Sequence, residues 1–140
     1  MPLSSTLNTN EIKDSGGLEQ EFVRIASGQR DTTFKLITEL PGYPHRLRIQ
    51  HAESGSGTSK RRRSVLRFDK TVQGGIDNTK TVTISCYAVL DVPVGNLANY
   101  TPAKDLTANL MSFMASLGAT TTILFDCTGN GADALVNGAI

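Results

Sequence analysis

Alternation with a two-residue period constrains this chain more than any other feature. Across residues 79–90, Val82, Ile84, Cys86, Ala88 and Leu90 form an unbroken apolar row, and Thr79, Thr81, Thr83, Ser85 and Tyr87 form its polar counterpart. In an extended strand successive side chains point to opposite faces, so this segment presents one face to a core and one to something wet. The same period runs through residues 45–51, where Leu47 and Ile49 oppose Arg46, Arg48 and Gln50. It recurs in 61–70, where Leu66 and Phe68 oppose Arg61, Arg63, Val65 and Arg67.

Turn-forming clusters separate these runs: DSGG at 14–17, SGQRD at 27–31, LPGYP at 40–44, ESGSGTS at 53–59 and QGGIDN at 73–78. Connections this short join strands as hairpins, which predicts an antiparallel meander whose neighbours in sequence are neighbours in the sheet. Burying the apolar rows together then forces the polar rows together on the opposite face. After residue 100 the period changes. Thr101 is placed as an N-cap, Pro102 at the first helical position and Gly118 as a stop. Between them Leu106, Leu110, Phe113, Met114 and Leu117 make one apolar stripe. This predicts a helix over 102–117, suited to cover the apolar sheet face. In the remainder, TTTILF reads as a strand or a short buried helix and GADALVNG as a helical turn.

At 140 residues the chain is long enough for one domain with its own core. We divide it into 1–42 (hairpin and first sheet strand), 43–92 (central strands) and 101–140 (helical part). No segment approaches the run of about 18 apolar residues that a membrane span needs, and the start lacks a secretory signal. A soluble protein made in a cytoplasm, with no membrane partner, is expected. Cys86 and Cys127 are too few for a disulfide framework or zinc motif, and two reduced, partly buried thiols are expected. The two histidines, His45 and His51, stand outside any metal or catalytic motif and read as surface strand residues. No catalytic residue, metal or cofactor is indicated.

The formal net charge of +1 conceals a concentrated patch. Residues 43–70 hold eight cations against two anions, a surplus of +6, and both flanks are net acidic. Placed by parity, Arg46, Arg48, Gln50, Arg61, Arg63, Arg67, Thr81, Thr83, Ser85 and Tyr87 share one open sheet face. Arginine forks suit phosphates, hydroxyls reach base edges or sugars, and an exposed tyrosine offers a stacking surface for an unpaired base. Arg62 has the opposite parity and is expected to stay solvated. A nucleic-acid platform is the reading this chemistry favours, and a small-ligand site lacks the converging groups it would need.

The order hairpin, basic meander, threonine-rich strand, helix and tail resembles the coat proteins of the single-stranded RNA bacteriophages, the levivirus type. The resemblance is sharpest in RLRIQHAESGSGTSKRRRSVLRFDK and extends through KTVTISCYAVLDVP and DLTANLMSFMAS, about residues 43–117. It implies an α+β fold: an N-terminal β-hairpin and five-stranded antiparallel sheet, then C-terminal helices. It also implies an intertwined homodimer in which helices of one chain cover the sheet of the other, and dimers that close into an icosahedral shell in the virion. Genomic RNA would lie on the inward sheet face, including a stem-loop through which such coats repress translation. Gln73, Gly74, Gly75, Ile76, Asp77 and Asn78 would form the loop between dimers, with the glycine pair permitting more than one conformation. The alternative is a cellular RNA-binding module that uses the same face without assembling.

Overall fold

The computed structural model describes residues 3–117 and 123–138. The chain divides into two compact units: one comprises the residues up to Ile12 and Gln20–Asn96, the other Lys13–Glu19 and the chain from Leu97 on.

The first unit is a six-stranded antiparallel sheet in the order β1-β2-β3-β4-β5-β6. Its strands are β1 (Thr6–Leu7), β2 (Phe22–Ser27), β3 (Asp31–Leu36), β4 (His45–Ser54), β5 (Arg61–Gln73) and β6 (Thr81–Val92). The meander expected from the turn clusters is therefore present. The short β1 pairs with β2 through Thr6↔Val23 and Leu7↔Phe22, so the N-terminal segment joins the same sheet and brings the strand count to six. Backbone bonds close the turns: Gly28 N–H donates to Asp31 O at 2.6 Å and Tyr43 N–H to Leu40 O at 3.0 Å. The β4–β5 tip is a short 3-10 turn at Gly57–Ser59. The backbone of Gly95, after β6, donates to Lys60 O at 2.9 Å and ties that tip down. Glu53 reinforces it, pairing with Arg30 at 2.5 Å and Lys60 at 3.1 Å.

The core of this unit lies on one face and toward one end. Leu7, Phe22, Phe34 and Leu47 are buried, with Ile12, Leu36, Ile49 and Phe68 packed against them. Phe22 meets the edges of Phe68 and His45 at centroid separations of 6.0 and 5.2 Å, and the Arg24 guanidinium lies 5.4 Å from the Phe34 ring centre. Such edge-to-face and cation–π contacts lock ring orientation beyond simple area burial. His45 is thus a core-edge residue, not the surface residue expected. Burial lowers its pKa, Lys70 adds to the effect, and Glu39 opposes it. Arg62 also departs from expectation: it is half-buried, opposite the buried Val92 in register, rather than solvated.

The apolar face does not stay buried toward β6. Val82 and Ile84 are 48% and 60% exposed and Leu66 is 42% exposed. Cys86 and Cys127 are both free and exposed, against the expectation of partial burial.

The second unit holds two helices, α1 (Thr101–Ala115) and α2 (Asn130–Asn137). The N-cap of α1 is Tyr100, not Thr101, and Asn99 Oδ1 accepts from Thr101 N–H at 3.0 Å. A side chain two residues upstream thereby satisfies one of the orphan donors of the first turn. The helix ends at Ser116, whose extended backbone (ψ 141°) turns the chain out; the expected stop, Gly118, lies outside the described residues. Leu124 N–H donates to Ala115 O at 2.9 Å and Asn130 N–H to Ser116 O at 3.1 Å, which folds α2 back on α1 over the buried Ala115 and Ala132. Small side chains at that contact allow close approach, and GADALVNG is a helix as expected. This packing takes up only part of the α1 stripe: Met114 and Leu117 are half-buried, while Leu106, Leu110 and Phe113 are half or more exposed, as is Met111 beside them.

Candidate nucleic-acid interface

Strand register decides which side chains share a face. Across β4 and β5, Arg46 lies opposite Asp69, Arg48 opposite Arg67, Gln50 opposite Val65, Ala52 opposite Arg63 and Ser54 opposite Arg61. Across β5 and β6, Arg63 lies opposite Asp91, Arg67 opposite Tyr87, Asp69 opposite Ser85, Thr71 opposite Thr83 and Gln73 opposite Thr81. Residues directly opposite in an antiparallel pair point to the same side. All ten residues assigned by parity to the polar face are therefore brought together on it.

The face also holds residues that parity within the basic run did not reveal. The pairing of β3 with β4 adds Lys35 opposite Arg46, Thr33 opposite Arg48 and Asp31 opposite Gln50. Asp69 and Thr71 of β5 and Asp91 of β6 complete it. The signal for them was present in the alternation of DTTFKL, which puts Asp31, Thr33 and Lys35 on one side.

These additions change the electrostatics. Arg48 Nε donates to both oxygens of Asp31 at 3.1 and 3.2 Å. Arg61 Nε donates to Asp91 Oδ1 at 2.9 Å. Arg67 Nε donates to Asp69 at 2.9 and 3.0 Å, and its Nη2 reaches Ser85 Oγ at 3.2 Å. Arg46 pairs with Glu39. Arg63 is exposed and, among the described residues, is the one arginine of this face with no ion pair. Six cations (Lys35, Arg46, Arg48, Arg61, Arg63, Arg67) thus meet four carboxylates (Asp31, Glu39, Asp69, Asp91), a surplus of +2 on this face, where the five arginines and Asp69 from residues 43–70 alone would leave +4.

The carboxyl pKa values record the pairing. The hydrogen bond from Arg48 lowers that of Asp31, and hydrogen bonds from Ser85 and then Arg67 lower that of Asp69. At Glu39 desolvation is the largest influence and acts upward. The His45 N–H and the Arg46 guanidinium, with Lys35 nearby, outweigh it and hold the group low.

Tyr87 is 62% exposed, with the Arg67 guanidinium 6.0 Å from its ring centre. Arg67, held by Asp69 and Ser85, lies over the Tyr87 ring, most of whose surface stays open. Thr71 and Thr83 share a hydroxyl bond at 2.9 Å, which orders that row. The arrangement can bind phosphate at guanidinium groups, stack a base on Tyr87, and offer hydroxyls to base edges. Among the described residues no cluster of three or more His, Cys, Asp or Glu is placed to hold a metal ion, and no helix is long and apolar enough to cross a membrane.

The β5–β6 loop closes on itself. Gly74 N–H donates to Lys80 O at 2.8 Å, and Asp77 Oδ1 accepts from Thr79 N–H at 3.1 Å. A Cβ on Gly74 would meet the carbonyl oxygen of Asp77, so this glycine serves close backbone approach, while Gly75 faces open space. At the tip Ile76 is fully exposed.

No family model matches the chain, and no curated protein matches it in sequence. Solved structures do. The coat protein of bacteriophage EMS014 aligns over 99% of both chains at 13% identity with a TM-score of 0.68. The virus-like particle of the same phage gives 11% identity and a TM-score of 0.66 over 99% of both chains. The virus-like particle of Beihai levi-like virus 32 gives 16% identity and a TM-score of 0.57, over 85% of this chain and 86% of that one. Identities this low speak to the fold, and the fold of this chain is that of the levivirus-type bacteriophage coat proteins.

Proposed function

We propose that this chain is the capsid protein of a single-stranded RNA phage. It dimerises, assembles into an icosahedral shell and holds genomic RNA on the polar face of β4–β6. The observation that carries the proposal is the two-sidedness of that sheet. One face gathers arginines, hydroxyls and an exposed tyrosine; the other continues past its core into an exposed apolar row at Val82 and Ile84. A strand and a helix that both keep large apolar side chains in water mark an interaction surface. The exposed α1 stripe is the complementary piece, and a second copy supplies it. β6 is a terminal strand of the sheet, with one hydrogen-bonding edge unpaired among the described residues. Natural proteins rarely leave a twelve-residue edge open without covering or pairing it, and a second β6 fits there. The similar solved structures include virus-like particles, which agrees with shell assembly.

On this reading Gln73–Asn78 makes contacts between dimers, with Ile76 as the apolar anchor at the tip. Such a protein resides in the virion after assembly in the host cytoplasm, and the same face would engage an RNA stem-loop to repress translation. The test is expression of this chain alone in bacteria, followed by electron microscopy and extraction of nuclease-protected RNA. Closed particles containing protected RNA are expected. A monomer with salt-dependent RNA affinity would favour a non-assembling RNA-binding module, and small species without RNA would overturn both.

A further inference from the structure

The carboxylates of the polar face come from four separate places: Asp31 on β3, Glu39 after β3, Asp69 on β5 and Asp91 on β6. Each is paired with a different arginine. A face evolved only to condense polyanions gains nothing from them. Arg46–Glu39 is partly buried, but the other three pairs lie in solvent, where ion pairs contribute little to fold stability, so those three are poorly explained as structural supports. Their shared property is position, beside a guanidinium that would otherwise meet a phosphate.

We propose that Asp31, Glu39, Asp69 and Asp91 are specificity-determining residues that screen the arginines against indiscriminate polyanion binding. The inference rests on the RNA-face reading above and concerns how that face chooses its ligand. A phosphate approaching a screened arginine must displace a carboxylate and then remain beside it, so the gain is small unless further contacts hold it there. Those contacts are the ones a bare polyanion lacks: stacking on Tyr87 and hydrogen bonds to Thr81, Thr83 and Ser85. Arg63 is the exception. It is flanked in register by Ala52 on one side and by Asp91 on the other, and Asp91 is engaged by Arg61. Unscreened, Arg63 is the point where a phosphate lands first. The ligand class is RNA that presents unpaired bases, in preference to any polyanion of equal charge.

The experiment compares the unsubstituted protein with the Asp31→Asn/Asp69→Asn double variant and with Arg63→Ala. The probes are oligouridylate and inorganic polyphosphate, titrated against salt. Each neutralised carboxylate adds about one effective phosphate contact. The slope of log affinity against log salt should therefore steepen by about 0.7 per substitution, which at about 0.1 M salt is about fivefold in affinity. The double variant should bind both probes about 25-fold more tightly, with polyphosphate gaining at least as much as oligouridylate. Arg63→Ala should weaken binding by about fivefold. If Arg63→Ala weakens binding while the double variant leaves slope and affinity unchanged, the screening proposal is wrong and the RNA face stands. If neither changes anything, the RNA-face reading fails and screening fails with it. Asp91→Asn, at the far end of the face, repeats the measurement should the double variant fold poorly.

Discussion

Ile84 and Thr83 are adjacent in β6 yet face opposite sides of the sheet, which allows a test of the two-sided reading with a one-residue step. Ile84 faces the apolar side with 60% of its surface exposed. Completing the burial of an isoleucine is worth about 1–2 kcal/mol at that starting exposure. A symmetric dimer buries it twice, so Ile84→Asp forfeits about 2–4 kcal/mol, or about 30- to 700-fold in dimer dissociation constant. An unpaired carboxylate forced into the apolar contact costs several kcal/mol more. Thr83 lies on the polar face, hydrogen-bonded to Thr71. Thr83→Asp introduces the same carboxylate one residue away, and both variants replace a β-branched strand former, so their strand-propensity penalties are similar. Sedimentation velocity and electron microscopy should show Ile84→Asp as a monomer or an aggregate that forms no particles. Thr83→Asp should form dimers and particles that package less RNA. Particles from Ile84→Asp, or loss of dimers in Thr83→Asp alone, would refute the assignment of faces.

Two further outcomes follow from the packing. A Cβ at residue 95 would collide with the Gly57 carbonyl oxygen and crowd Lys60 N at 3.0 Å. Gly95→Ala should therefore destabilise the hairpin tip by about 1–3 kcal/mol, read as a lowered Tm by circular dichroism, whereas Gly75→Ala meets open space and should leave Tm unchanged. His45 has a pKa lowered by burial and by Lys70, against the opposing pull of Glu39. Because the unfolded chain takes up that proton more readily, stability rises with pH through this region. It should fall as pH drops from above the ordinary histidine value of 6.5 toward the folded pKa. The carboxyls of Asp31 and Asp69 are shifted below the ordinary aspartate range by their hydrogen bonds and lie outside this window. Denaturant unfolding should show the loss on acidification and its reduction in His45→Gln; an unchanged pH slope in that variant would exclude His45 as the source.

The sheet was legible because its information is local. A period of two, interrupted by Gly, Ser, Asp and Pro, specifies strands, hairpins and faces with no knowledge of distant contacts. Arg46, Arg48, Arg61, Arg63 and Arg67 could be placed on one side because parity within a strand and short turns between strands leave little freedom in register. The helix was legible for the same reason, although its cap was not. Thr101 has the right chemistry for an N-cap, but the helix begins one residue earlier than that: Tyr100 is the cap, its carbonyl accepts from Lys104 N–H, and Asn99 accepts from the N–H of Thr101 itself.

What tertiary structure alone decided is where charges cancel. Residues 43–70 carry a surplus of +6 when counted along the chain. Of the four carboxylates that pair with the face arginines only Asp69 belongs to that stretch; Asp31, Glu39 and Asp91 arrive from elements on either side. Coulomb energy depends on distance in space, and sheet pairing sets that distance between residues up to thirty apart in sequence. The same holds for His45, whose neighbour Phe22 is supplied by another strand. The sequence by itself determined which side of each strand is wet, because alternation is a property of the extended backbone. Folding determined that most of the wet side's positive charge is answered, leaving the half-buried Lys35 and the exposed Arg63 without an ion pair among the described residues.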